Sequence, residues 1–290
     1  MARTYTPSLP IWCAGCGHFG VLNALRSAVR DLRIPLHEVA LLAGIGCSGT
    51  IQNYLGTYGY HALHGRVVPT AIGVALADPR LTVVAAGGDG DGYAIGAGHL
   101  IHAFRRNVSL TYVCMNNETY GLTKGQSSPS GFLAGDEGSF DGPLAGLAIR
   151  GSTFIARGYT GRPEQLARLM RAALEHSRER RGFAFLEVIS PCVTYADTYP
   201  DWEHTLYDVD ADAAYSSGDR ALAFSTALRL AEDRRLPIGL LYRAAEHAAD
   251  ASAPAVPASS GAPTPDLVAR YEELLGRYAV RSSSGAGAAR

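Results

Sequence analysis

The sequence predicts a doubly wound α/β fold with a mostly parallel sheet. Short apolar runs that are typical of buried strands alternate with longer runs whose apolar residues recur at helical spacing. Residues 81–116 contain a complete strand–helix–strand unit, which is the building block of parallel sheets. Several strand-like runs also end in glycine, cysteine or acidic residues, at the sheet edge where α/β proteins bind ligands.

Composition restricts the class of protein. With 290 residues, 47% of them hydrophobic, the chain can bury one large core without disulfides. A net charge of −1 gives no reason to expect nucleic acid or a membrane surface as a partner. The N-terminal MARTYTPSLP lacks the apolar region of an export signal, and no apolar run has bilayer length, so we expect a cytoplasmic protein.

The first part of the chain predicts an arm, a helix and a strand in that order. Residues 1–12 are expected to be extended, and a helix is expected from near His18 through VLNALRSAVRDL. HEVALLAG follows as a buried strand that runs into the turn at residues 44–47. Pro69 is expected in the first turn of the next helix, TAIGVALA, where its missing N–H costs nothing.

Residues 83–125 carry the most informative pattern. They indicate a strand, a Gly-Asp-Gly turn, a helix, a second strand and an Asn-rich loop. Asp89 ends the first strand and Asn117 the second, so both are expected at the carboxyl edge of the sheet. Carboxylate and amide oxygens beside small glycines suit Mg²⁺ carrying a diphosphate. A helix that begins near Gly92 would direct its N–H groups at the same phosphates.

The remaining elements follow in order. Residues 125–150 are rich in Gly, Ser, Asp and Pro and predict a long functional loop. EQLARLMRAALEHSRER predicts a helix, GFAFLEVIS a strand that ends at Pro191-Cys192, and ALAFSTALRLAED a further helix. We therefore predict one domain over residues 1–245. Residues 246–290 are predicted to be a low-complexity linker and tail, with a short helix in RYEELLGRY and a disordered SSSGAGAAR end.

Four of the five cysteines are candidate metal ligands. Cys13 and Cys16 form a C-x-x-C, while Cys47 and Cys192 follow strands and are expected at the same sheet edge as Asp89. Four converging thiolates suit either a [4Fe–4S] cluster or a Cys₄ zinc site, and a redox dithiol is a third alternative. Their spacing does not decide between these alternatives. Cys114 lies within a strand and is expected to be a buried apolar residue.

Two motifs together resemble the thiamine diphosphate signature. They are the triplet Gly88-Asp89-Gly90 and the pair Asn116-Asn117, which follows after a spacer of just under thirty residues. Five ordered blocks widen the resemblance to the β subunit of 2-oxoacid:ferredoxin oxidoreductases, from Trp12 to Cys192 and weakly at 236–243. These blocks are WCAGCGHFGVLNAL, GIGCSG, HALHGRVVPTAIGVALADP, GGDGDGYAIGAGHLIHAFRRN and YGLTKGQ.

The resemblance implies a thiamine diphosphate-binding fold of the PP-domain type and assigns the ligands. Mg²⁺ would be held by Asp89, Asn117 and the backbone carbonyl of Thr119. The residues expected to line thiamine diphosphate are Ile45, Gly46, Cys47, Ser48, His64, Gly90, Asp91, Gly121 and Leu122. The resemblance also favours one [4Fe–4S] cluster on Cys13, Cys16, Cys47 and Cys192. Because Cys47 belongs to both sets, we expect the cluster and the cofactor to be neighbours.

Candidate groups for orienting a substrate carboxylate are His64, Arg66 and Lys124. Arg66 has the alternative of an ion pair within its loop, and Lys124 the alternative of a solvated loop lysine. The other nearby histidines, His61, His99 and His102, are expected to be structural.

Two features are missing from the sequence. It contains no glutamate suited to activating the aminopyrimidine ring and no ferredoxin-type cysteine run. In the family the activating acid belongs to a separate α subunit, so the resemblance implies an αβ enzyme, expected as (αβ)₂. Thr50 stands where many relatives carry a basic residue, a departure that bears on substrate choice.

The expected reaction is oxidative decarboxylation of a 2-oxoacid with CoA, giving acyl-CoA and CO₂ with ferredoxin as electron acceptor. The KGQ segment and the lack of a ferredoxin domain favour 2-oxoglutarate over pyruvate or a broad range of oxoacids. The alternative is a non-redox thiamine diphosphate decarboxylase or carboligase with a Cys₄ zinc site. A subunit without catalysis is disfavoured because the metal ligands and Gly-rich turns are all present.

Overall fold

The computed structural model describes residues 7–133, 135, 138–245, 268–270 and 272–273. The chain divides into two compact units, Met1–Pro254 and Ala255–Arg290. The start of the predicted arm, the predicted linker and the predicted disordered end lie outside the described residues. Helical backbone at 268–270 and 272–273 overlaps the start of the short helix predicted in RYEELLGRY.

Ten strands and seven α-helices are formed by the described residues. The strands are β1 Val39–Ala43, β2 Tyr58–His61, β3 Thr82–Gly88, β4 Thr111–Asn116, β5 Thr119–Tyr120, β6 Gln126–Ser127, β7 Phe154–Tyr159, β8 Ala184–Ile189, β9 Leu206–Asp208 and β10 Leu236–Arg243. The helices are α1 His18–Asp31, α2 Val67–Ala77, α3 Ala97–Arg106, α4 Gly142–Ala148, α5 Pro163–Arg178, α6 Tyr199–Thr205 and α7 Arg220–Glu232.

Eight of the strands form one twisted sheet in the order β2-β1-β3-β4-β8-β7-β10-β9. The six strands from β2 to β7 in that order run parallel, and β10 joins β7 in the antiparallel sense. One core cluster packs α1 and α5 on the sheet, and a second packs α2, α3, α4 and α7 on it. Helices therefore cover both faces, and the predicted doubly wound α/β fold is confirmed.

The sheet register brings the predicted site segments to one edge. β3 pairs with β4 so that Gly88 lies opposite Met115, and β4 pairs with β8 so that Asn116 lies opposite Ile189. On the other side, Ala43 at the end of β1 lies opposite Ala86 of β3. Four chain segments leave these strands at the same edge. Asp89 and Asn117 follow adjacent parallel strands, as the sequence predicts.

The structure corrects the sequence-based elements in several places. Residues 125–150 are not loop throughout, because they contain β6 and α4. The N-cap residue Asp141 accepts a 2.8 Å hydrogen bond from the Leu144 N–H and so begins α4 within a Gly- and Pro-rich segment. Strands β2 and β7 and helix α6 were not predicted. The helix expected near Gly92 begins earlier, with a π-helical turn at Gly90–Ile95 that precedes α3. Pro69 does lie in the first turn of α2.

Candidate active site

A cleft of about 220 Å³ opens at the carboxyl edge of β1, β3 and β4. Its lining includes all the residues predicted to contact thiamine diphosphate and Mg²⁺. The full lining is His18, Ile45, Gly46, Cys47, Ser48, His64, Gly88, Asp89, Gly90, Asp91, Met115, Asn117, Thr119, Tyr120, Gly121, Leu122 and Thr123. The structure thus brings this predicted set together, while the role of each member as a ligand remains a prediction.

Asp89 is one of two buried acids in this cleft, with only 1% of its surface exposed. Its Oδ2 accepts hydrogen bonds from the hydroxyls of Ser128 and Ser130, the latter at 2.6 Å, and its Oδ1 accepts the Asn117 N–H at 3.3 Å. Burial raises the pKa of the Asp89 carboxyl, although these hydrogen bonds oppose the rise. Within the described part of the chain its hydrogen-bond donors are neutral, so a bound cation would compensate the buried charge.

Asn117 and Thr119 supply further oxygen atoms beside Asp89. The Asn117 Oδ1 accepts the Thr119 N–H at 3.1 Å, and the Thr119 carbonyl accepts the Gly121 N–H at 3.1 Å. Each of these oxygens has a second lone pair available for a cation. One carboxylate, one amide and one carbonyl oxygen form a donor set that suits Mg²⁺. The π-helical turn that follows Asp89 adds the positive end of its dipole at the same place.

Asp91 fixes the shape of the turn after β1. Its Oδ1 accepts the N–H groups of Ile45 at 3.0 Å and Gly65 at 2.8 Å, and it pairs with His64 Nδ1 at 2.8 Å. A Cβ on Gly44 would overlap the Asp91 carboxylate, so only glycine fits at that position. The carboxylate therefore holds both the glycine turn and His64 against the cleft. Because a carboxylate only accepts hydrogen bonds, His64 Nδ1 donates its proton to Asp91.

The other two predicted substrate-orienting groups lie elsewhere. Arg66 is exposed at the N-cap of α2, with its guanidinium 3.4 Å from the Ile95 carbonyl. Lys124 is exposed in a left-handed turn with φ of 78°. Neither residue lines this cleft or the cysteine-lined cleft beside it, among the residues that the structure describes. Their role in binding a substrate carboxylate stays a prediction that this chain alone does not place at the site.

The four predicted cysteine ligands line a second, larger cleft of about 460 Å³. Cys13 and Cys16 form a tight turn, closed by a 3.0 Å hydrogen bond from the Cys16 N–H to the Cys13 carbonyl. Burial raises the pKa of Cys16 to about 11, and the proximity of the other three thiols adds to the rise. A bound metal reverses this preference, since a coordinated thiol is deprotonated outright. Cys114 is fully buried inside β4 and does not line this cleft, as the sequence predicts.

The separation of the four cysteine sulphur atoms determines which kind of metal centre they could bind. No group of three or more His, Cys, Asp or Glu in the described ranges has the geometry for a single metal ion. A tetrahedral zinc ion would need sulphur atoms roughly 4 Å apart, given Zn–S bonds of about 2.3 Å. A Cβ on Gly121 would lie 3.4 Å from Cys47 Sγ and 3.8 Å from Cys192 Sγ, so glycine keeps the space between these thiols open.

The two clefts share one wall. Seven residues line both of them, namely His18, Ile45, Gly46, Cys47, Asn117, Gly121 and Leu122. The shared wall consists of the turn after β1 and the segment after β4, with one histidine from the start of α1. A ligand in the first cleft and a metal centre in the second would therefore be in direct contact with the same residues.

Five lining residues of the first cleft were outside the predicted set, namely His18, Gly88, Met115, Tyr120 and Thr123. His18 is buried, and its Nδ1 lies 2.7 Å from Ser190 Oγ. Burial lowers the pKa of His18 to about 4, so the ring is neutral at pH 7. Tyr120 packs its ring against Gly90, where a Cβ would overlap it. The available signals were the position of His18 directly after C-x-x-C-G and that of Tyr120 after the Asn-Asn pair.

No glutamate lines either cleft among the residues that the structure describes. Burial raises the pKa of Glu118 to about 7, but its carboxylate accepts the N–H groups of Phe132 and Leu133. Glu187 of β8 is buried in an ion pair with Arg157 of the neighbouring strand β7.

Comparisons with known proteins show the family to which the chain is similar. Residues 44–188 match the family model "Thiamine pyrophosphate enzyme, C-terminal TPP binding domain". The chain is 39% identical over 263 residues to 2-oxoacid:ferredoxin oxidoreductase 2, subunit beta, of Aeropyrum pernix, covering 83% of this chain and 84% of that protein. It is 42% identical over 196 residues to 2-oxoglutarate synthase subunit KorB of Methanothermobacter thermautotrophicus, covering 64% and 66% of the two chains.

A solved structure is similar along nearly the whole chain. The 2-oxoglutarate:ferredoxin oxidoreductase from Magnetococcus marinus, with 2-oxoglutarate, coenzyme A and succinyl-CoA bound, has a TM-score of 0.76 and 33% identity. The similarity covers 94% of this chain and 89% of that one. The thiamine diphosphate-binding domain, the fold and the identity to these relatives place the chain in the 2-oxoacid:ferredoxin oxidoreductase family, as a β subunit of that enzyme.

Proposed function

We propose that this chain is the β subunit of an enzyme that catalyses CoA-dependent oxidative decarboxylation of a 2-oxoacid, with electrons passing through a [4Fe–4S] cluster to ferredoxin. The observation that carries the proposal is the wall shared by the cleft of Asp89 and the cleft of the four cysteines. An enzyme that removes electrons from a cofactor needs an acceptor beside it, whereas a simple decarboxylase does not.

The first cleft suits thiamine diphosphate with Mg²⁺. When bound, thiamine diphosphate supplies a carbon nucleophile and an electron sink. Asp89, the Asn117 side chain and the Thr119 carbonyl would hold Mg²⁺, and the π-helical turn at Gly90–Ile95 would direct its N–H groups at the diphosphate. His64, held by Asp91, would orient the substrate carboxylate, with Arg66 and Lys124 as further candidates.

The second cleft suits one [4Fe–4S] cluster on Cys13, Cys16, Cys47 and Cys192. The convergence of all four cysteines on this one cleft supports a metal centre there, and the resemblance to the family favours a cluster over zinc. The thiols would be deprotonated on metal binding, because coordination outweighs the burial that raises the pKa of Cys16 and Cys47.

The partner is an α subunit, in an (αβ)₂ assembly located in the cytoplasm. The name "subunit beta" carried by the relatives implies such a partner. No helix of the described residues is long and apolar enough to cross a bilayer. The α subunit would supply the acid that activates the aminopyrimidine ring, since no glutamate in the described part of the chain lines the cleft.

We favour 2-oxoglutarate as the substrate, with pyruvate or a broader range as alternatives. Relatives named for 2-oxoglutarate, and the similar structure that contains 2-oxoglutarate and coenzyme A, support this choice. Thr50, in the turn beside Cys47, replaces the basic residue that many relatives carry, and this difference bears most on substrate specificity. Its hydroxyl donates a 2.9 Å hydrogen bond to the Cys47 carbonyl, and Thr50 lines the second cleft.

The test is turnover by the co-expressed αβ enzyme across a panel of oxoacids. We expect ferredoxin reduction that requires both CoA and oxoacid, fastest with 2-oxoglutarate, and a brown protein that contains iron and sulfide. Full activity from the isolated chain would contradict the proposed need for an α subunit. A colourless zinc protein that forms product without an electron acceptor would instead establish the non-redox decarboxylase or carboligase.

A further inference from the structure

Two serines of the segment after β6 bind the buried carboxylate of Asp89. Ser128 and Ser130 are each only 4% exposed, and both hydroxyls contact the same carboxylate oxygen, Oδ2. The two hydroxyls are also 3.0 Å from each other. None of the predicted ligand sets contains either serine, because no sequence spacing connects them to Asp89.

The two oxygens of the Asp89 carboxylate differ in their hydrogen bonds. Oδ2 accepts both serine hydroxyls, whereas the contact of Oδ1 with the Asn117 N–H is a long 3.3 Å. Two donors on one oxygen fix the rotation of the carboxylate and occupy that oxygen. The other oxygen keeps a free lone pair and is the one suited to a cation.

Ser130 also lies beside the side chain of Asn116. The Asn116 Nδ2 donates to Glu187 Oε1 at 3.1 Å, which fixes the orientation of the amide. Its Oδ1 accepts the Glu118 N–H at 3.1 Å and lies 2.9 Å from Ser130 Oγ. A serine hydroxyl has one proton, and the anionic Asp89 is a stronger acceptor than an amide that already accepts a hydrogen bond. The Ser130 proton is therefore assigned to Asp89.

We propose that Ser128 and Ser130 are positioning residues of the metal site, which hold Asp89 Oδ2 so that Oδ1 faces a divalent cation. The proposal rests on the proposed function, in which Asp89 binds Mg²⁺ with thiamine diphosphate. Partners of a metal ligand typically contribute 10–100-fold to metal affinity because they fix its orientation. The segment after β6 would thereby contribute to metal binding without touching the metal.

The experiment measures Mn²⁺ binding to the αβ complex, stripped of metal and cofactor and supplied with thiamine diphosphate. Electron paramagnetic resonance reports free and bound Mn²⁺ in wild type, Ser128→Ala and Ser130→Ala. The matched control is Ser127→Ala, since Ser127 is the adjacent residue and is exposed. We expect each buried serine variant to bind Mn²⁺ about tenfold more weakly, and the control to match wild type.

The second readout is the rise in melting temperature that Mn²⁺ and thiamine diphosphate produce, which should be smaller in both buried serine variants. A purely structural role would lower the melting temperature with and without metal by the same amount and leave the affinity unchanged. That outcome would overturn the inference. Ser130→Thr keeps a hydroxyl and should bind Mn²⁺ more tightly than Ser130→Ala, and equal loss in both would also overturn it. Failure of the wild type to bind Mn²⁺ and thiamine diphosphate would instead count against the proposed function.

Discussion

Replacing Arg157 by methionine should strongly destabilise the domain, although the residue lies away from both clefts. Arg157 is in the middle of β7 and only 2% exposed. It pairs with Glu187, its cross-strand neighbour on β8, and with Asp141 at 2.8 Å. Glu187 is 1% exposed and also accepts hydrogen bonds from Tyr93 at 2.5 Å and Asn116 at 3.1 Å.

The magnitude follows from the burial of both partners. Methionine fills a similar volume but leaves Glu187 as a buried carboxylate without a cation. Breaking a buried pair on one side costs about 3–5 kcal/mol of the free energy of unfolding. For a domain of this size each kcal/mol lowers the melting temperature by about 2–4 °C, so we expect a fall of roughly 6–20 °C.

Chemical and thermal unfolding of three variants would measure this effect. Arg171→Met, which breaks the exposed pair with Glu175, should cost no more than about 0.5 kcal/mol. The double variant Arg157→Met/Glu187→Gln should recover much of the stability, because it removes the unpaired charge and keeps an acceptor for Tyr93. Equal losses in Arg157→Met and Arg171→Met, or additive losses in the double variant, would refute the reasoning.

The pH dependence of the Arg157→Met variant gives an independent check. Burial raises the pKa of Glu187 above its ordinary value, and Arg157 opposes that rise. Without Arg157, the folded state favours the protonated acid. The variant should therefore be most stable below the ordinary pKa of glutamate and lose stability as pH rises through the raised pKa of the folded state.

Three further outcomes are expected. Asp89→Asn should abolish binding of Mg²⁺ with thiamine diphosphate, as measured by calorimetry. The substitution should not destabilise the metal-free protein, because it removes a buried charge. Undiminished binding would exclude Asp89 as a ligand. Cys192→Ser should lower iron and sulfide content while Cys114→Ser should not, and equal losses would contradict the assignment. Burial lowers the pKa of His176 to about 4, so the folded protein should lose stability as pH falls from about 6.5 to 4. His176→Gln should reduce that dependence and the exposed His37→Gln should not, and an unchanged pH profile in His176→Gln would contradict this.

The sequence predicts the elements whose patterns are regular and misses those whose patterns are interrupted. Apolar residues at helical spacing predicted α1, α5 and α7, and continuous apolar runs predicted β1 and β8. β7 was missed because Arg157 interrupts an otherwise apolar run, and its pairing with Glu187 is visible only once the strands are adjacent. α4 was missed because its glycines and proline are typical of loops, while the Asp141 cap that begins it is a single residue.

The same distinction applies to the candidate site. Positions at strand ends follow from chain order, so Asp89, Asn117 and the cysteines could be assigned to one edge in advance. The positions of long side chains could not be assigned, because they depend on local backbone geometry, such as the left-handed turn at Lys124. Ser128 and Ser130 lie 39 and 41 residues after Asp89, beyond the strand β6, and no periodicity relates them to it.

The wall shared by the two clefts limits how this enzyme could be re-engineered. Cys47 belongs to the same turn as Ile45, whose N–H is bonded to Asp91, which also holds His64. Substituting Cys47 to remove the proposed metal centre would therefore also disturb the turn that shapes the first cleft. Conversion into a non-redox decarboxylase should begin at Cys13, which is exposed and lines only the second cleft. Because seven residues line both clefts, natural sequence variation at the shared wall should change the lining of both clefts together.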